Sequence, residues 1–171
     1  MGPPSVSLGN KNMGRKGPVR ERKTPQDPIY GNKVVTKLVN RIMRDGKKSI
    51  AEKEVYTAFS LIKEKTGEEP LKVFSSALEN IKPTMEVRPR RVGGAAYQVP
   101  MSVRGPRRES LGIRWLIKAT QDRSNTEFHT FAEKLATEIM AASNGEGAAV
   151  KKRHDIEKVA EANRAFAHFR W

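Results

Sequence analysis

The residues best placed to do chemistry in this sequence are cations, and the chemistry they suit is the binding of anions. Arg88, Arg90 and Arg91 crowd around Pro89, Gly93-Gly94 and Tyr97-Gln98 follow, and Arg104 comes shortly after. Guanidinium forks meet phosphate in two parallel hydrogen bonds. Glycines without a Cβ let the backbone come close to a sugar or base. Arg107 and Arg108 lie a few residues on, and Lys47 and Lys48 follow a glycine turn. Lys151, Lys152 and Arg153 begin a segment expected to be helical, where the positive end of the helix dipole adds its own attraction for a phosphate. Arg164, Arg170 and Trp171 close the chain, and the indole can stack on a base or cover the edge of the protein.

Catalysis has no comparable set of residues. His129, His154 and His168 are scattered, no HExxH spacing occurs, and with no cysteine there is neither a thiol nucleophile nor a thiolate metal site. Gly9 to Lys16 (GNKNMGRK) imitates a phosphate-binding glycine loop, but Arg15 replaces the lysine, Lys16 the Ser or Thr, and no strand precedes it. Glu52 with Glu54, and Glu68 with Glu69, read as solvated helix faces. The chain is therefore expected to be no enzyme and to need no metal, cofactor or small-molecule substrate.

The charge is unevenly distributed. Of 171 residues, 33 are Lys or Arg and 19 Asp or Glu, a net charge of +14. By segment the balance is +9 over residues 1–48, −2 over 49–81, +6 over 82–108, −2 over 109–148 and +3 over 149–171. A surface tuned for solubility alone mixes its signs more evenly. Such segregation points to a polyanion. No run approaches a membrane-spanning length of about 18 apolar residues, and no secretory or transit segment is evident. A cytoplasmic location without a membrane partner is expected.

Positioning these cations requires a scaffold. Residues 1–27 lack periodicity and read as a flexible basic arm carrying Arg15, Lys16, Arg20, Arg22 and Lys23. Residues 28–171 read as one helical domain. Val35, Leu38, Val39 and Ile42 recur with helical spacing up to Asp45-Gly46. Ser49 with Glu52 suggests a capping box opening a second helix, with Ala51, Val55, Phe59 and Ile62 as its stripe and Gly67 its end. A third helix runs from Pro70 through Leu71, Phe74, Leu78 and Ile81 to Pro83.

The period then falls to two. Met85, Val87 and Pro89, with Tyr97, Val99, Met101 and Val103 across Gly93-Gly94, predict a β-hairpin over about 84–104. Pro89 and Pro100 cannot donate to a ladder, so the hairpin should be a two-stranded ribbon standing clear of the body. After a turn at Arg104 to Arg108, Leu111, Trp115, Leu116 and Ala119 open a fourth helix. Phe128, Phe131, Leu135, Ile139 and Ala142 mark a fifth, broken at Asn144-Gly145. Residues 148–169 read as one sixth helix with Ile156, Val159, Ala160, Asn163 and Phe166 inward. The fold expected is mainly α: about six helices in a bundle, an inserted protruding hairpin and a basic N-terminal arm.

Several blocks of the sequence resemble the small-subunit ribosomal protein seven family, bacterial type. They are DPIYGNKVV at Asp27, DGKKSIAE at Asp45, RRVGGAAYQVP at Arg90, RWL at Arg114, GAAVKKR at Gly147 and AEANRAFAHFRW at Ala160. The resemblance implies a helical fold with a protruding hairpin and direct binding to the 3′ major domain of small-subunit ribosomal RNA. It further implies nucleation of head assembly and a place beside the exit-site transfer RNA and nearby messenger RNA, with small-subunit proteins nine and eleven as neighbours. By motif match, ribosomal RNA contacts would fall on Lys47, Lys48, Arg107, Arg108, Lys151, Lys152 and Arg153, with Arg104 and Arg114 beside them. The exit-site role would fall on the ribbon (Arg88, Arg90, Arg91, Gly93, Gly94, Tyr97, Gln98) and on Arg164, Arg170 and Trp171. Residues 1–12 match nothing in that pattern, and Phe169 stands where a Tyr is frequent. From the residues alone, the alternative is an architectural DNA-binding protein whose basic arm enters a minor groove.

Overall fold

The computed structural model describes residues 24–169, which form six α-helices, a two-stranded hairpin and a closing 3₁₀ helix. Asp27 anchors the start. One oxygen of its buried carboxylate accepts the N–H groups of Ile29 (3.2 Å) and Tyr30 (3.0 Å), and the other accepts the Tyr56 hydroxyl at 2.8 Å. Asn32 then caps α1 (Lys33–Ile42) by accepting from the Val34 N–H at 2.8 Å. Val35, Leu38 and Val39 turn inward as their spacing requires.

Helix α2 (Lys48–Thr66) begins earlier than expected. Lys47 occupies its cap position without a side-chain bond, Ser49 already lies inside the helix, and Glu52 pairs with Lys48 at 3.2 Å, so the Ser49–Glu52 capping box does not form. The stripe of Ala51, Val55, Phe59 and Ile62 is buried as expected, and Gly67 at φ +71° ends the helix. Helix α3 (Pro70–Ile81) carries its proline in the first turn and buries Phe74, Leu78 and Ile81.

Strands β1 (Met85–Val92) and β2 (Ala95–Ser102) pair antiparallel from Met85 opposite Ser102 to Val92 opposite Ala95, joined through Gly93 (φ +58°) and Gly94 (φ +88°). Both central residues of this two-residue turn take the left-handed conformation that matches strand twist. The hairpin is a two-stranded sheet, as expected, but it does not stand clear along its whole length. Val99 and Pro100 are buried, and Tyr97 lies 5.1 Å from Phe166 and 5.3 Å from Phe169, ring to ring. An isolated ribbon is marginal in water, and the C-terminal aromatics supply its cover. Residues 93–96 at the tip remain exposed.

Helix α4 (Gly105–Asp122) takes Pro106 into its opening turn, so Arg107 and Arg108 belong to the helix rather than to a preceding turn. Helix α5 (Phe131–Ser143) starts after Phe128, which stays in the loop, and here a capping box is present. Thr130 Oγ1 accepts from the Glu133 N–H (3.2 Å) while the Glu133 carboxylate accepts from the Thr130 N–H (3.3 Å). α5 packs against α2, α3 and α4, and a single apolar cluster draws residues from all six helices.

Helix α6 (Ala148–Ala162) is shorter than its apolar spacing suggests. Asn163 ends it, a 3₁₀ helix follows over Arg164–Phe169, and Val159, expected inward, is exposed. In a 3₁₀ helix residues three apart eclipse. The change of winding therefore aligns Phe166 and Phe169 on one side, where Tyr97 meets them.

Candidate nucleic-acid interface

Helix α4 is the spine of the cationic surface. Arg107, Arg114 and Lys118 recur at spacings of seven and four and so share one face of the helix, and all three are exposed. Over 18 residues the helix is about 27 Å long at 1.5 Å per residue. Arg104, at its N-cap, and Arg108 add to the first end. At the other end, Lys47 and Gln121 line one cleft of 310 Å³, while Asp122 and Lys152 line the next, of 250 Å³. Lys47 and Lys152, some hundred positions apart in the chain, thus flank the same last turn of α4.

Carboxylates within the protein restrain several of the cations singled out from the sequence. Glu86 on β1 accepts from Arg107 Nε (3.0 and 2.9 Å) and Nη2 (2.7 Å), and from Arg88 Nε at 2.5 Å. Burial works to raise the Glu86 pKa, but the hydrogen bonds from Arg107 and Arg88, with their charges, outweigh it and hold it lowered. The Arg107 pKa is raised in turn by its hydrogen bond to Glu86. Lys48 pairs with Glu52, and Arg153 Nε stands 3.6 Å from Glu157 with its Nη2 3.0 Å from His154 Nε2. Glu157 also accepts the Thr84 N–H (3.0 Å) and hydroxyl (2.7 Å), tying the root of the ribbon to α6.

The start of α6 departs from expectation in another way. Glu138, fully buried on α5, accepts the Ala149 N–H at 2.9 Å through Oε1, and its Oε2 accepts from Arg123 Nε at 2.8 Å. The anion at this helix end is therefore a carboxylate of the chain itself. Lys151 and Lys152 are left exposed at this helix end, and an anion beside them would not have the undivided help of the helix dipole.

Lys47, Arg90, Arg91, Arg104, Arg114, Lys151, Lys152 and Arg164 are exposed, with no carboxylate within ion-pair distance among the described residues. Arg108 is half-buried and its Nε has no hydrogen-bond partner there. Gln98 is exposed, and Arg90 faces Tyr97 across the ribbon while Arg91 lies on the opposite face. Arg15, Lys16, Arg20, Arg22, Lys23, Arg170 and Trp171 lie outside the described residues. Arg41, Arg44 and Lys118 are exposed as well, although no motif in the sequence marks them. Arg44 shares the cleft of Lys47, and its place in the +9 segment was the available signal. Glu86 carries no such signal toward Arg107, which is 21 residues away.

Among the described residues no group of His, Asp or Glu could hold a metal ion, and no helix is long and apolar enough to cross a membrane. The pattern of the family described as ribosomal protein S7p/S5e matches residues 14–164. The chain belongs to the S7p/S5e family of ribosomal proteins. It is 58% identical to the small ribosomal subunit protein uS7 of Caldicellulosiruptor bescii and 58% to that of Carboxydothermus hydrogenoformans. With the uS7 of Ligilactobacillus salivarius it shares 56% identity, and each alignment spans 93% of this chain and all of the relative. S7p/S5e membership makes the chain a structural, non-enzymatic protein of the small ribosomal subunit.

Proposed function

We propose that this chain binds small-subunit ribosomal RNA directly, through its 3′ major domain, and that neutralising phosphates there lets it nucleate assembly of the subunit head. The observation that carries the reading is the cationic face of α4, closed at one end by Arg104 and Arg108 and at the other by Lys47 and Lys152. Cations on three separate stretches of chain converge on one helix. This suits an RNA junction, where phosphates of several strands approach each other, better than a single straight groove.

The ribbon serves the exit site. Arg90, Arg91, Gly93, Gly94 and Gln98 are exposed toward its tip, able to meet transfer RNA and nearby messenger RNA, while Tyr97 braces the ribbon on Phe166 and Phe169. Small-subunit proteins nine and eleven are the protein neighbours that family membership suggests. Lys47, Lys48, Arg104, Arg107, Arg108, Arg114, Lys151, Lys152 and Arg153 form the proposed ribosomal RNA set, in which Arg107, Lys48 and Arg153 meet RNA with part of their charge already balanced.

The test is affinity for a transcript of the 3′ major domain against duplex DNA of equal length, across a salt series. Tight binding to the transcript alone at moderate salt is expected. Equal and steeply salt-dependent binding to both would overturn the reading, since charge alone would then account for it.

A further inference from the structure

Glu86 is the only acidic residue in the +6 segment from 82 to 108, and it is 8% exposed. A carboxylate there removes positive charge from the region whose charge does the binding. Stability alone is a poor reason for it, because buried ion pairs are often no more stabilising than apolar residues of the same volume. Geometry supplies a better one. Arg107 gives Glu86 its Nε–H and one Nη2 hydrogen, which leaves three of the five guanidinium N–H donors on the outward edge. Arg88 gives up only its Nε–H. The two side chains stay 53% and 42% exposed. One carboxylate thus holds two forks at the joint between ribbon and α4, each with free donors turned away from it.

We propose that Glu86 is a specificity-setting positioning residue for RNA, which fixes Arg88 and Arg107 so that their outer edges fit two phosphates at one separation. The role rests on the RNA-binding reading above. Restrained forks reward an RNA whose backbone already has the matching shape, and unrestrained arginines would follow the phosphates of any RNA.

The experiment compares wild type with Glu86→Gln in the full chain, measuring affinity for the 3′ major domain transcript and for an RNA of equal length and unrelated sequence over a salt series. Glu86→Gln should bind the unrelated RNA several-fold more tightly, with a salt slope steeper by about 0.7–0.9 per released arginine. Binding to the cognate transcript should stay level or weaken, so the preference falls several-fold or more. Glu86→Asp keeps the charge but draws the carboxylate back by one methylene. It should also lose preference, and it carries the test if Glu86→Gln does not fold. Equal gains on both RNAs would mean that only a charge was removed. A lowered melting temperature with preference intact would mean a purely structural latch. Either result overturns the proposal. If wild type shows no preference at all, the RNA reading itself fails, a result distinct from both.

Discussion

At the scale of single residues, buried carboxylates organise the cations around them. Glu138 is fully buried between the Ala149 N–H and the Arg123 guanidinium, so Glu138→Ala leaves a charge and a helix end without a partner. A loss of about 3–5 kcal/mol is expected in urea unfolding, the usual cost of breaking such a pair. Gly147 is bound to the same site: it sits at φ +95°, and a Cβ there would lie 2.8 Å from Glu138 Oε1. Gly147→Ala should cost about 1–3 kcal/mol through backbone strain and displacement of Glu138.

Acid acts on several carboxylates together. The pKa of Glu86 is held down by Arg107 and Arg88 against its burial, that of Glu157 by Thr84 against its burial, and that of Glu133 by the Thr130 N–H. A carboxylate whose folded pKa is depressed stabilises the fold above its unfolded pKa, and that stabilisation is lost as pH falls through the folded value. The urea midpoint should therefore hold down to about pH 4 and decline below it. In alkali the sign reverses. Burial, then the hydrogen bond to Asp27, push the Tyr56 pKa up to about 12, so its contribution is present below about pH 10 and fades as pH rises from there toward 12.

At the scale of elements, the ribbon and the C-terminal 3₁₀ helix stand or fall together. Deleting residues 90–98 removes Tyr97 from Phe166 and Phe169 but takes nothing from the apolar cluster of the six helices. Thermal unfolding of the bundle should change little, while amide exchange over Arg164–Phe169 becomes much faster. A large drop in melting temperature would show that the ribbon supports the core. Most elements were legible in the sequence because their stripes are long and regular, as in Val55, Phe59 and Ile62, or Phe74, Leu78 and Ile81. The errors lie where two local readings compete. Ser49 with Glu52 and Thr130 with Glu133 carry the same spacing, and the difference is that Lys48 can begin the helix while Glu133 has Thr130 facing it. The sixth helix is expected to run past Asn163 because Phe166 continues an α-helical spacing, but Asn163 closes it on the Val159 carbonyl and the tighter winding that follows brings Phe166 and Phe169 to Tyr97.

At the scale of the whole molecule, the segregated charge predicts how binding responds to salt. Replacing Lys151 and Lys152 with Ala should flatten the salt slope of ribosomal RNA binding by about 0.7–0.9 for each phosphate that is no longer neutralised, without a change in melting temperature, because both side chains are exposed and free of carboxylates. An unchanged slope would place that end of α6 away from phosphate. The charge map was readable from composition by segment, but its effective part was not. Arg107 looks equivalent to Arg104 in sequence, and only the approach of β1 to α4 reveals that Glu86 holds it, whereas Arg88, two residues from Glu86 on the same strand, shares its face by spacing alone. In the same way, nothing in the order of residues brings both Lys47 and Lys152 to the last turn of α4; the packing of α1 and α6 against that helix does.

The rings that brace the ribbon also set a schedule for the growing chain. Tyr97 is synthesised 69 positions before Phe166, which at 5–20 residues per second is about 3–14 s. For that interval the two strand segments have unsatisfied edges and no covering partner, the condition under which strands join strands of other chains. Pro89 and Pro100 each leave a gap in the donor pattern of one strand, and Arg88, Arg90 and Arg91 add like charge. Residues suited to holding RNA in the finished protein thus also keep nascent copies apart until their aromatic supports are made.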